Sequence, residues 1–179
     1  MRALVRVVDR VSHLCGVLAA VLVITLVVLM LYDVVLRYAF NAPTSWGNDL
    51  NAFLMGGSFV LSIAYAMSTD AHVRVDLFYS ERTRPRLAYV DVIGMTLIVL
   101  PAVAFISWGL LVHLQDGIRT GERTGSGGWN PVVWPFRAVL LVGFVVFTIQ
   151  IVAEIIKRIA WIAGRPFDAP VVAPQDHAV

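Results

Sequence analysis

Ionisable side chains at helical spacing are the residues of this chain that could carry chemistry. Asp33 stands four residues before Arg37, and Glu154 stands four residues before Arg158. On a helix, this spacing puts an acid and a base on one face, where they can form an ion pair. A carboxylate near the centre of a membrane helix would instead indicate a proton relay or a counter-ion for a transported substrate.

Each of these acids lies near one end of a long apolar run rather than at its centre. Asp33 is close to the end of the first run, Glu154 is close to the end of the last, and Asp91 lies near the start of the third. We interpret them as interfacial charges that pair and orient helices. We therefore expect no catalytic residue, and we do not expect an enzyme.

The histidines and the single cysteine are not spaced like a metal or haem site. His13 and His113 are predicted to lie at opposite faces of the membrane, while His72 and His177 lie in a loop and in the tail. Metal ligands need to converge on one ion, and no two of these share a helix. Cys15 lies in an apolar run and is expected to be a small buried side chain. We expect no metal and no cofactor in this chain.

Composition indicates a membrane protein. Of the 179 residues, 59% are hydrophobic and 15% are charged, and the mean hydropathy is +0.78. A soluble domain of this size carries more charge, because it must cover its surface with polar groups. The net charge is only +2, with the basic residues dispersed, which excludes a nucleic-acid-binding stripe.

Four apolar stretches are long enough, at roughly 20 residues, to cross the hydrocarbon core as helices. They are Val11–Leu36, Leu50–Met67 (with its helix starting near residue 48), Leu87–Val112 and Phe136–Ile156. The first run exceeds the roughly 7–15 residues of a signal-peptide core, so we expect a retained helix. The sequence thus predicts an all-α integral membrane protein, with a four-helix transmembrane domain over residues 1–163. Residues 164–179 contain Pro166, Pro170 and Pro174 and are predicted to be a disordered cytoplasmic tail.

The basic residues predict the orientation. Of the 14 Lys and Arg residues, only Arg37, Arg119, Arg123 and Arg137 flank the helices on one side. The others flank them on the opposite side: Arg2, Arg6, Arg10, Arg74, Arg82, Arg84, Arg86, Lys157, Arg158 and Arg165. The positive-inside rule places both termini and the middle loop in the cytoplasm.

Small and polar residues in the second helix indicate close helix packing. Gly56, Ser58, Ser62 and Ala66 are the candidates, and the last three share one face. Small residues let another helix approach, and their hydroxyls can bond across the contact or back to their own helix. The partner helix could belong to this chain or to another subunit. Pro101 is expected to kink the third helix.

Two segments join helices on the outer side. In the first, Asn41 and Pro43 suit a turn, and Thr44 or Ser45 is expected to cap the next helix. Trp46 is expected to anchor this segment at the interface, and Asp49 falls in the first helical turn, where its charge complements the dipole. The second segment, Asp116–Pro135, is rich in glycine and is predicted to be a flexible loop with a rigid end.

Three local motifs resemble the small permease subunit of TRAP transporters, the DctQ type. The first is Arg37-Tyr38-Ala-Phe40-Asn41-Ala-Pro43-Thr-Ser-Trp46, followed by Asp49. The second is His72-Val-Arg74-Val-Asp76, and the third is Trp134-Pro135 with Gly143 further along. The resemblance covers about Arg6–Lys157. The family commonly has paired acids after the tryptophan, whereas Asn48 and Asp49 stand here, so a role that needs two carboxylates is not carried over.

The resemblance implies a subunit of a sodium-coupled uptake system in the bacterial inner membrane. In that family a large permease subunit carries the substrate and sodium sites, and a periplasmic binding protein delivers an organic acid. The small subunit would brace the large one and share the docking face. The alternative is a stand-alone four-helix membrane protein, either a small exporter or a membrane redox subunit.

Overall fold

Four long helices make up the computed structural model, which describes residues 2–69, 92–125 and 128–162. They are α1 (Arg2–Ala39), α2 (Gly47–Ser68), α3 (Val92–Thr120) and α4 (Trp134–Ile162). All four are long and apolar enough to cross a membrane. The described residues contain no strand beyond one isolated bridge, so the predicted all-α fold with four membrane spans is confirmed.

The helices extend beyond the apolar stretches. The apolar part of α3 stops near Val112, yet the helix continues to Thr120. It ends where Gly121 adopts a left-handed conformation with φ 62° and its N–H donates to the Gly117 carbonyl at 3.1 Å. Glycine takes this conformation without the steric penalty of a Cβ, so it is a common helix terminator. The end of α3 is therefore determined by backbone geometry rather than by hydropathy.

Directly before Pro101, α3 changes from an α-helix to a short π-helix. Met95–Val99 is π-helical, and the N–H of Leu100 donates to the Met95 carbonyl. Proline has no N–H and cannot continue the regular ladder. A wider π turn directly before it accommodates that loss inside the helix.

The bundle consists of two helical hairpins, α1–α2 and α3–α4. Residues 40–46 join α1 to α2, and residues 121–133 join α3 to α4. Helix α4 packs against α2 and, over a smaller area, against α1, whereas α3 contacts only α4 among the described helices. Helices α1, α2 and α4 thus form a three-helix group to which α3 is attached through α4.

The apolar core is small and lies in two clusters. Cys15, Ala19 and Leu61 form one between α1 and α2, with Leu22 and Val146 packed against it. Met95, Val103 and Ile151 form the other between α3 and α4. Most large apolar side chains of α1 and α3 point away from the bundle, as expected of surfaces that face lipid or another membrane protein.

Glycines allow the closest helix contacts. A Cβ built on Gly143 of α4 would lie 3.2 Å from the carbonyl oxygen of Val60 in α2, and it would overlap the Val60 side chain. A Cβ built on Gly56 of α2 would lie 2.7 Å from the ring of Phe136 in α4. The α2–α4 contact therefore depends on the absence of side chains at these two positions.

We expect Gly143→Ala to destabilise the protein by about 1–3 kcal/mol, because the methyl group would force α2 and α4 apart. Gly109 in α3 is the matched control, since no atom lies within 4 Å of a Cβ built there. Thermal unfolding in mild detergent should therefore give a lower transition for Gly143→Ala and no loss for Gly109→Ala. Equal transitions for the two variants would contradict the close α2–α4 approach.

Candidate functional site

The carboxylate of Asp33 organises the end of the bundle at which residues 40–46 lie, which we call the outer end after the predicted orientation. One oxygen, Oδ1, accepts a hydrogen bond from the backbone N–H of Thr44 at 3.0 Å and another from the Thr44 hydroxyl. The other, Oδ2, accepts from Nη2 of Arg37 at 2.8 Å, which confirms the predicted ion pair. Asp33 is only 7% exposed. It therefore fastens the segment before α2 to the end of α1.

The predicted capping of α2 by Thr44 or Ser45 is wrong. The N-cap residue is Trp46, and it makes no side-chain capping hydrogen bond. The hydroxyl of Thr44 donates to Asp33 instead. A capping side chain accepts a hydrogen bond from a backbone N–H in the first helical turn, but α2 starts at Gly47, and Thr44 stands two residues before the N-cap position. The Thr44 side chain, which the local sequence pattern predicts to cap α2, therefore bonds to α1 instead.

Asn41 and Trp46 shape the outer turn. Asn41 has φ 51°, a left-handed conformation that asparagine tolerates better than most residues. The next residue, Ala42, donates its N–H to the Leu36 carbonyl at 3.1 Å. Trp46 stacks on Tyr32 of α1 with ring centroids 6.4 Å apart. The motif residues Tyr38, Phe40 and Pro43 are exposed, the first two at 82% and 69%.

Asp49 links this turn to the second outer segment. It lies in the first turn of α2, as predicted, and is buried. Its Oδ2 accepts a hydrogen bond from the Thr124 hydroxyl at 3.3 Å. The two outer segments therefore meet over the bundle and form one continuous surface.

The glycine-rich segment is folded in its described residues, so the prediction of a flexible loop is wrong there. Arg123 and Val132 form an antiparallel bridge. The N–H of Thr124 donates to the Pro131 carbonyl at 3.1 Å, and the N–H of Gly125 donates to Oδ1 of Asn130 at 2.8 Å. These hydrogen bonds hold the segment in one conformation, which its glycine-rich composition does not indicate.

Arg137 fastens α3 to α4 at the same end. Its Nη1 donates to the His113 carbonyl at 2.9 Å, and its Nη2 pairs with Oε2 of Glu122 at 2.8 Å. A Cβ on Gly117 would lie 2.8 Å from Nη1, so the guanidinium packs closely over that glycine. In the sequence, Arg137 is recognisable only as a charge that indicates orientation.

A second polar cluster lies at the opposite end of the bundle, and we call it the inner network: Asp9, Ser12, Gln150, Glu154 and Lys157. The Ser12 hydroxyl donates to Oε1 of Gln150 at 2.8 Å. Nε2 of Gln150 donates to Asp9 at 3.0 Å and to Glu154 at 3.1 Å. Nζ of Lys157 donates to both carboxylates at 2.7 Å. Ser12 and Gln150 are 0% exposed.

Sequence reasoning missed most of this network. Glu154 is visible in the sequence as an acid four residues before Arg158, and the structure pairs it with Lys157. The available signal was Gln150, a polar residue inside an apolar run with Glu154 four positions later. Its partners on α1 could not be found from spacing, because they lie more than a hundred residues away.

The serines of α2 bond back to their own helix. Ser58 donates to the Met55 carbonyl and Ser62 to the Phe59 carbonyl, each at 2.8 Å. Ser58 is buried and Ala66 is half-buried. On this face of α2, the small side chains leave room for neighbouring helices, and the serine hydroxyls donate their hydrogen bonds within α2 itself.

Several predicted residues lie outside the described residues: His72, Arg74, Asp76, Asp91, His177, the basic residues of the middle loop and the tail at 164–179. Of the described histidines, His13 packs its ring edge against Tyr65 with centroids 5.6 Å apart. Within residues 2–69, 92–125 and 128–162, no group of three His, Cys, Asp or Glu residues could hold a metal ion.

A family model described as "Tripartite ATP-independent periplasmic transporters, DctQ component" matches residues 26–160. The match includes both outer segments and the contacts of Asp33, Asp49 and Arg137 described above. No curated protein and no solved structure matches the chain.

We expect Asp33→Ala to destabilise the protein, because it leaves the Thr44 N–H and the Arg37 guanidinium without their acceptor. Arg37→Gln should cost less, about 0–1 kcal/mol, because the arginine is half exposed and Thr44 still holds Asp33. Chemical unfolding in mild detergent measures both changes.

Asp116→Ala is the matched control for this comparison, since Asp116 is an exposed acid on the same side of the membrane. Its unfolding should be unchanged. If Asp33→Ala unfolds like Asp116→Ala, the carboxylate does not organise the outer end.

Proposed function

The chain belongs to the DctQ component family of tripartite ATP-independent periplasmic (TRAP) transporters, and from this premise we propose that it is the fixed scaffold that braces the large permease subunit. The observation that carries the proposal is the family match over residues 26–160. We further propose that the complex lies in the bacterial inner membrane and takes up an organic acid together with sodium ions. The sodium ions and the acid would bind to the large subunit.

The contacts at the two ends of the bundle support a scaffold role. A part that stays fixed while another moves needs helices whose relative positions are held. Asp33 holds the outer end of α1 to the segment before α2, Asp49 holds α2 to the segment after α3, and the inner network holds α1 to α4. These side chains are engaged within the chain, so rearrangement of the helices would break several buried polar contacts at once.

The apolar surfaces of α1 and α3 support a large membrane partner. Phe105 and Trp108 on α3 are largely exposed, as are Ile24 and Leu31 on α1. Because α3 contacts only α4 among the described helices, its flanks are open to helices of another subunit. We propose that the large subunit covers part of this surface and that lipid covers the remainder.

The outer surface formed by residues 40–46, 121–125 and 128–133 is the proposed docking face for the periplasmic binding protein. Its backbone is held by the Asp33 and Asp49 contacts, while Tyr38 and Phe40 beside it remain exposed. Aromatic side chains of this kind are enriched at protein interfaces, where they bury a large area at a low entropy cost.

Co-purification tests the assignment directly. The tagged chain, expressed from its native operon and extracted in mild detergent, should carry the large permease subunit with it. Deleting its gene should abolish uptake of the organic acid. The double variant Tyr38→Ala Phe40→Ala should keep the membrane pair intact and lose uptake, if the binding protein docks at this face.

Recovery of the chain alone, with uptake unaffected by the deletion, would contradict the proposal. Transport by the chain alone in liposomes would favour the small exporter, and a haem absorbance band would favour the redox subunit.

We propose that both termini lie in the cytoplasm, because the basic residues flank the helices on that side. Cys15 is the only cysteine, so Cys15→Ser gives a background without thiols. A membrane-impermeant thiol reagent added to intact cells should then label Asn48→Cys, which is exposed at the start of α2. It should label Val7→Cys, which is exposed near the start of α1, only after permeabilisation. The reverse pattern would invert the topology.

A further inference from the structure

We infer that the inner network is a latch that closes the bundle by holding α4 against α1 in a single register. Its α1 members, Asp9 and Ser12, precede the region matched by the family model, which starts at residue 26. The inference rests on geometry within this chain and does not depend on the proposed role in transport.

The α1–α4 contact needs directional interactions to form. Helices α1 and α4 are the first and last of the described helices, so no short segment holds them together. Their shared surface is smaller than that between α1 and α2. Within lipid, apolar packing gives little preference for one neighbour over another, because the lipid tails are equally apolar. The polar side chains of the inner network supply the missing preference.

Gln150 makes the contact specific for one register. Its Oε1 accepts from Ser12, and its Nε2 donates to Asp9 on α1 and to Glu154 on α4. Gln150 and Ser12 are both fully buried. A slip of one helical turn, about 5.4 Å, would carry Gln150 away from both α1 partners and leave its amide buried without them. Other registers are therefore disfavoured.

Lys157 allows two acids from different helices to approach each other. Its Nζ lies 2.7 Å from Asp9 Oδ1 and 2.7 Å from Glu154 Oε1. Without this ammonium, Asp9 and Glu154 would face each other across the α1–α4 contact with one fewer positive charge between them. Like charges at short distance repel strongly where water is partly excluded. Lys157 therefore favours the contact between α1 and α4 by reducing the repulsion between these two acids.

Cross-linking between α1 and α4 tests the latch in membranes of cells that express the whole native operon. Val146 packs against the cluster formed by Cys15, Ala19 and Leu61, so Val146→Cys places a thiol on α4 at the cluster that contains the native thiol of α1. A short bifunctional thiol reagent should then join the two positions. Adding Lys157→Met or Gln150→Leu should reduce the cross-linked fraction several-fold and lower the apparent unfolding temperature by roughly 5 °C.

A combined variant distinguishes a latch from general damage. Lys157→Met together with Asp9→Asn and Glu154→Gln removes the ammonium and the two carboxylate charges that contact it. This variant should recover part of the cross-linking that Lys157→Met loses, because the two carboxylates that would repel each other are gone. Arg10→Gln is the matched control, since Arg10 is an exposed cation near the same end of α1. Its cross-linking should equal that of the parent.

Parental cross-linking in both Lys157→Met and Gln150→Leu would overturn the inference. If Lys157→Met fails to accumulate, the combined variant decides: recovery of accumulation and cross-linking supports the latch. An equal loss in the combined variant would overturn it.

Discussion

Helices inside a bilayer gain little by leaving lipid for one another, because the lipid tails are as apolar as their side chains. This constraint explains why so much of the present structure depends on a few polar groups and on close backbone approaches. Asp33 and Gln150 provide directional contacts at the two ends of the bundle. Gly143 and Gly56 provide close fit between α2 and α4. Together they determine which helix packs against which.

The polar contacts fall into two classes according to how far apart in the sequence their two residues lie. Asp33 and Thr44 are 11 residues apart, so their contact belongs to the α1–α2 hairpin. Arg137 and His113 are 24 residues apart and belong to the α3–α4 hairpin. Ser12 and Gln150 are 138 residues apart. The Asp33 and Arg137 contacts therefore stabilise each hairpin separately, whereas the inner network and the Asp49–Thr124 hydrogen bond join the two hairpins.

Features governed by local physics could be predicted from the sequence. The existence of four spans follows from bilayer thickness and apolar run length, and the Asp33–Arg37 pair follows from helical spacing. The partner of Thr44 could not be predicted, because its hydroxyl donates to a carboxylate on α1, 11 residues earlier in the chain. The order of the segment after α3 depends on the Asn130 side chain, which no composition rule identifies. The inner network requires knowledge that α1 and α4 are neighbours, and no local pattern contains it.

The distribution of polarity in this chain is the reverse of that in a soluble protein, and it bears on how the chain can bind a partner. Among the described residues, Asp33, Asp49, Gln150 and Glu154 are buried, while the broad outer faces of α1 and α3 are apolar. A partner that replaces lipid on those faces need not break any polar contact inside the bundle. Binding of such a partner can then rely on complementary shape and on small local gains in packing energy, while the helices of the bundle keep their arrangement. This property suits a component that supports another protein without changing its own arrangement of helices.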